Sequence, residues 1–176
     1  MGLQIEKVEK RFVWATVGAL VLGVVAIGYS VTEMGVHLPG HDHRIDPMQV
    51  VRGEAAPFDE PGLHEREDGT YEAVIVAQAF SFQTGETMIV EDAATGADRE
   101  IGVLRIPRGA TVDVVATSRD VLHGMKILGT NVNVMLIPGH VTRVTHTFDE
   151  PAELQLLCTE YCGLGHNQMF AMVVVE

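Results

Sequence analysis

The chain has 176 residues, with 24 acidic against 12 basic side chains and a formal net charge of −12 at pH 7. That length allows one globular domain and an appendage, because a single domain commonly runs to about 100–150 residues. The acidic excess argues against nucleic acid as a partner, since a phosphate backbone needs a basic patch.

Residues 1–11 carry Lys7, Lys10 and Arg11 beside Glu6 and Glu9, and the next 21 residues, Phe12 to Thr32, carry no formal charge. Roughly 20 apolar residues at 1.5 Å rise cross a hydrocarbon core about 30 Å thick, so residues 12–32 are expected to form one transmembrane helix. A cleaved signal peptide is the alternative, but its apolar core usually spans about 7–15 residues. The basic cluster before the helix leaves residues 1–11 in the cytoplasm and everything after the helix outside, and Trp14 falls at the cytoplasmic interface. Beyond residue 31 the charge is −13, with Lys126 the one lysine outside the first ten residues. Such a surface matches life in concentrated salt, where a Debye length of about 3 Å at 1 M screens self-repulsion.

Residues 33–70 contain Pro39, Pro47, Pro57 and Pro61, several glycines and many charges, without a sustained apolar period. They read as a linker and irregular arm. Within them His37, His41, Asp42 and His43 form a short tract that is read as solvated rather than metal-binding.

From Tyr71 the sequence changes to short runs rich in β-branched residues. Strands are expected at 71–79, 87–91, 101–106, 111–117, 132–137, 141–148, 153–158 and 170–175, with turns at Pro107-Arg108-Gly109 and Pro138-Gly139. Residues 91–100 read as an exposed loop. Strand spacing of this kind predicts an all-β sandwich over 71–176.

The chemistry concentrates in Cys158-Thr159-Glu160-Tyr161-Cys162-Gly163-Leu164-Gly165-His166-Asn167-Gln168-Met169, which holds both cysteines of the chain. Outside a cell membrane two cysteines pair by default. A disulfide, however, needs no His four residues after the second Cys and no Met three beyond that. Thiolate and thioether are soft donors and imidazole is intermediate, a set that favours copper over magnesium or calcium. A second imidazole is available from His123, in Asp120-Val121-Leu122-His123-Gly124-Met125. Zinc also accepts two sulfurs and two nitrogens but leaves Met169 without purpose. A mononuclear blue-copper site takes two His, one Cys and a long axial Met, which leaves one Cys unexplained. No Gly-rich phosphate loop, H-E-x-x-H pair or Gly-x-Ser-x-Gly elbow competes.

The order His123, Cys158, Cys162, His166, Met169, with the flanks Tyr161 to His166 and Asp120 to Gly124, resembles subunit II of the haem-copper cytochrome c oxidases, the B-type enzymes in particular. The resemblance implies an all-β cupredoxin-like Greek-key sandwich with one N-terminal transmembrane helix. It further implies a binuclear CuA centre of two copper ions. In the family's arrangement Cys158 and Cys162 bridge the metals, His123 and His166 bind one each, and Met169 and the Glu160 carbonyl are weak axial ligands. Phe80 and Phe82 resemble the family's aromatic segment through which electrons enter, where many members have Trp, although alternating Phe is also what one face of a half-buried strand gives. Asp120 reads either as a residue that orients the ligand loop or as the cap of a turn. The Glu160 carboxylate corresponds to a magnesium ligand of A-type enzymes that B-type enzymes tend to lack.

By the same resemblance the protein acts as an enzyme, a cytochrome-c oxidase, only within a complex. It passes electrons from a soluble donor, cytochrome c or a small blue-copper protein, to the haem of a multi-helix subunit I that reduces oxygen to water. It would sit in the cell membrane as a single-pass protein with its copper domain on the outer face. The rivals are a membrane-tethered copper carrier or assembly protein, which has no need of five side-chain ligands, and a mononuclear blue-copper electron carrier.

Overall fold

A computed structural model describes residues 6–33, 44–92 and 95–176, in two units. The first is the helix α1, Lys7–Glu33, with no buried residue. Its 27 residues reach about 40 Å at 1.5 Å each, so it is long and apolar enough to cross a membrane. Thr16, Ser30 and Thr32 donate their hydroxyls to the carbonyls of Phe12, Ala26 and Gly28, four residues back, so these three hydroxyls are satisfied within the helix. The tract His37, His41, Asp42 and His43 lies outside the described residues.

The second unit is a two-sheet sandwich. After a short helix α2, Pro47–Arg52, come β1 Gly62–Glu65, β2 Tyr71–Gln78, β3 Ser81–Gln83, β4 Glu86–Glu91, β5 Asp98–Ile106 and β6 Ala110–Ser118. They are followed by β7 His123–Ile127, β8 Asn133–Leu136, β9 Thr142–Phe148, β10 Ala152–Leu157 and β11 Phe170–Val175. One sheet runs β1-β2-β6-β9 with β3 also on β2, and the other runs β4-β5-β11-β10-β7-β8. The β2–β6 and β5–β11 pairs are parallel.

Period-two alternation sorts the strand residues. Ala73, Ile75 and Ala77 of β2 and Val112, Val114 and Ala116 of β6 enter the core between the sheets, with Leu104, Ile106, Leu156 and Val173 from the second sheet. Their neighbours Val74, Val76 and Val115 point out of the sandwich and are nevertheless buried, because Val50, Ala55 and Phe58 cover them. The irregular arm expected over 33–70 is therefore corrected: from residue 44 onward it is ordered against the first sheet. Asp46 caps α2 by accepting from the Met48 N–H at 2.9 Å, Pro47 starts the helix, and Gly53 at φ +69° ends it. The loop expected over 91–100 is also shorter, since Glu91 pairs with Asp98 and Val90 with Arg99 in the β4–β5 hairpin.

Register gathers one end of the sandwich. Gln78 lies opposite Ser81, Ala116 opposite Thr142, His123 opposite Leu136, and Leu157 opposite Phe170. The connections 79–80, 119–122, 137–141 and 158–169 consequently meet at that end.

Candidate metal centre

Strands β10 and β11 are adjacent and antiparallel, so the 158–169 segment is the long connection of a hairpin. It is closed at its base, where the Cys158 N–H donates to the Met169 carbonyl at 3.2 Å. A 3₁₀ turn, His166–Gln168, folds its second half, and the Met169 N–H donates to the His166 carbonyl at 3.2 Å. His123 begins a strand absent from those expected, β7, which pairs with β10 through Ile127 and Leu156. The next residue has to be glycine: a Cβ on Gly124 would stand 2.9 Å from the Glu160 nitrogen and overlap the Thr159 hydroxyl. That close approach brings the two ligand segments together, and Thr159 N–H donates to the Gly124 carbonyl at 3.4 Å.

The expected donors converge. Cys158 Sγ lies 3.7 Å from Cys162 Sγ, and both cysteines are free and buried. His123 Nδ1 is 3.8 Å from Cys158 Sγ, and His166 Nδ1 is 3.6 Å from Cys162 Sγ. Met169 Sδ stands 3.7 Å from Cys162 Sγ, and the Glu160 carbonyl 3.2 Å from Cys158 Sγ. Each thiol thus has one imidazole and one weaker donor of its own. The ligand atoms of His123, Cys158 and Cys162 all lie within 4.8 Å of one another, a group that His166 does not join. One ion with bonds of about 2.0–2.3 Å cannot span ligands much more than about 4.6 Å apart. The two sulfurs and their flanking imidazoles form a donor set suited to copper.

Asp120 fixes the deeper imidazole. His123 is 0% exposed, and its Nε2 lies 2.8 Å from Asp120 Oδ1, which leaves Nδ1 turned toward the sulfur. The same carboxylate accepts from the Ala79 and Val121 N–H groups, each at 2.7 Å. Burial pushes the Asp120 carboxyl up, but the hydrogen bonds from Ala79, His123 and Val121 together hold it below the usual carboxylate range. The Cys162 thiol is pushed up to about 11, first by burial and then by the adjacent Cys158 thiol. The Cys162 thiol therefore resists ionisation on its own, and a bound cation removes that resistance.

The aromatic segment separates. Phe82 is 2% exposed and belongs to the core, so it is removed from any exposed entry surface. Phe80 is half-buried, with its ring against the ligand loop, where a Cβ on Gly165 would overlap it and one on Gly163 would come within 3.0 Å. The exposed apolar groups at this end are others: Tyr161 at 74%, Leu164 at 97%, Val121 and Leu122. The Tyr161 ring centre lies 5.9 Å from that of His166. Their place in the ligand loop was readable, while their exposure was not.

Comparison with known proteins agrees with this geometry. A family model described as cytochrome c oxidase subunit II, periplasmic domain, matches residues 70–176. A cytochrome c oxidase subunit 2 of Thermus thermophilus is 32% identical over 172 residues, covering 96% of this chain and 91% of the relative. A further Thermus thermophilus protein of that name is 35% identical over 144 residues, covering 81% of this chain and 93% of its own length. Among solved structures, a chain of a haem-copper terminal oxidase dimer superposes with a TM-score of 0.73 at 30% identity, covering 97% of this chain and 100% of that one.

Proposed function

The chain belongs to the cytochrome c oxidase subunit II family, and we propose that its five side-chain donors hold a binuclear copper centre that relays electrons into the complex. It is the cupredoxin-like, copper-binding subunit of a haem-copper oxidase, and its enzymatic role is that of the complex. The observation that carries the binuclear reading is the paired geometry: two sulfurs 3.7 Å apart, each with its own imidazole at 3.6–3.8 Å.

Two copper ions bound here supply a one-electron carrier whose charge change is spread over both metals. The residues prepare that carrier. Cys158 and Cys162 would hold the ions between them, His123 and His166 would each offer Nδ1, and Met169 and the Glu160 carbonyl would add weaker donors. Asp120 holds the His123 ring, and the Phe80 ring supports the loop from within. His123 opens β7, Cys158 follows β10 directly and Met169 precedes β11 directly, so three of the donors are tied to strands, which limits how far they move when the charge changes.

The partner is a catalytic subunit I, to whose haem the electron passes and where oxygen is reduced to water. The donor is a soluble cytochrome c or small copper protein that meets the exposed rim of Tyr161 and Leu164. Residues 12–32 anchor the chain in the cell membrane, with residues 1–11 in the cytoplasm and the copper domain over 71–176 on the outer face. Among the described residues no further His, Cys, Asp or Glu group forms around Glu160, so a magnesium ion on its carboxylate would depend on oxygens from the partner. The deciding measurement is electron paramagnetic resonance on the copper-loaded full chain in detergent, with metal analysis. Two coppers per chain and hyperfine splitting shared by both nuclei are expected; one copper with localised splitting would favour a mononuclear blue site.

A further inference from the structure

Arg99 is the second residue of β5, far from the ligand motif in sequence, and it reaches that motif from the side. Strand β5 runs parallel to β11 with Val103 opposite Met172, so the start of β5 lies level with the exit of the ligand loop. The Arg99 guanidinium donates to the Gln168 carbonyl and lies 5.3 Å from the centre of the Phe170 ring. Gln168 and Phe170 are the two neighbours of Met169. The peptide joining Gln168 to Met169 is therefore held at both ends, its carbonyl by Arg99 and its N–H by His166. Between these holds the Met169 side chain, 2% exposed, places its sulfur 3.7 Å from Cys162.

We propose that Arg99 is the positioning residue of Met169: by gripping the Gln168 carbonyl and the Phe170 ring it fixes the thioether against Cys162 and thereby sets the potential of the copper pair. The inference rests on the binuclear reading above. A guanidinium is suited to the task because it stays charged, donates through a planar fork and stacks on an aromatic face, whereas lysine offers a mobile point charge. An axial ligand bonds weakly and at long range, so its distance follows the backbone that carries it. The thiol and imidazole donors belong to residues other than the gripped Gln168–Met169 peptide, so loosening the grip is expected to alter the tuning and leave metal content intact.

The test uses the full chain in detergent with Arg99→Gln, Arg99→Lys and Phe170→Leu. In the copper-free protein, amide hydrogen exchange at Met169 reports the grip alone; about tenfold faster exchange is expected for Arg99→Gln, the scale of one lost hydrogen bond. After loading, all three variants should keep two coppers and shift the reduction potential, with Arg99→Lys rescuing part of the shift. Unchanged exchange in Arg99→Gln overturns the proposal, as does an unchanged potential. A potential fully restored by lysine would show that charge alone acts, and would overturn positioning too. Phe170→Leu keeps the charge and removes the ring, so it decides the matter if Arg99→Gln fails to fold. If the wild-type chain bound one copper, the binuclear reading would fall, while the exchange result would still judge the grip.

Discussion

The two halves of the metal centre are built differently. The half around Cys158 uses His123, fully buried, set on the first residue of a strand inside the six-stranded sheet and locked through Asp120 to two backbone N–H groups. The half around Cys162 uses His166, half-buried in a 3₁₀ turn, beside the exposed Tyr161 and Leu164. Rigidity is concentrated on one side and access on the other. Such a division suits a relay, since a donor must approach closely while the site must not rearrange.

If the sulfurs bridge two ions, the halves stand or fall together despite their different settings. Cys158→Ser and Cys162→Ser are each expected to abolish the binuclear spectrum and to leave at most one copper per chain. A variant that retained both metals would show that its half binds alone. Holding a ligand in place comes next in size. Asp120→Ala should weaken copper binding by about 10- to 100-fold, the usual cost of losing a partner behind a metal-bound imidazole. On the accessible side Tyr161→Leu should change affinity by no more than about twofold, as surface substitutions do. Equal losses in competition titrations would erase the contrast between the halves.

Proton release gives a third comparison. Copper takes Cys162 as thiolate, yet the copper-free thiol stays protonated up to about pH 11. Each unit rise in pH below that value therefore tightens binding about tenfold through this thiol alone, flattening as pH passes the thiol's own value. In the copper-free protein the raised value favours the folded state below the thiol's ordinary range near pH 9, and that contribution is lost between about pH 9 and 11. Affinity measured from about pH 6 to 8 that did not rise would mean the thiol is already ionised before metal arrives.

Different parts of this molecule were legible to different degrees. The ligand set could be read because its donors are rare types at close spacing in one connection, and because His123 carries its own flanking motif. The strands could be read wherever one face is buried, as in β2, β6 and β11. The ordering of residues 44–65 was not foreseen, because a six-residue helix is too short for an apolar period, although Asp46, Pro47 and Gly53 mark its ends in the sequence. Phe80 and Phe82 look alike in the sequence, two apart on one expected face. They part because residues 79 and 80 join β2 to β3, which frees Phe80 to lie on the ligand loop while Phe82 enters the core. Gly124, Gly165 and Arg99 act through residues distant in sequence, and no local pattern marks such contacts.

A smaller effect than the loss of a thiol or of Asp120 concerns what covers the accessible half during electron transfer. Charge cannot dominate that contact in molar salt: the Debye length there is about 3 Å, so the −13 carried beyond residue 31 steers a donor only at low ionic strength. Leu164, 97% exposed between the second cysteine and His166, then has the most apolar surface to lose to a docking partner. Burying a leucine fully contributes roughly 1.5–3 kcal/mol, and a partly covered one less. In molar salt Leu164→Ala should slow reduction by a soluble donor several-fold, within about tenfold, whereas neutralising one exposed acid such as Asp98→Asn should change the rate by less than about twofold. At low salt the order should narrow or reverse. Stopped-flow reduction of the wild type and both variants across ionic strengths measures this, and a larger loss from the acidic substitution in molar salt would place the docking contact away from the His166 side.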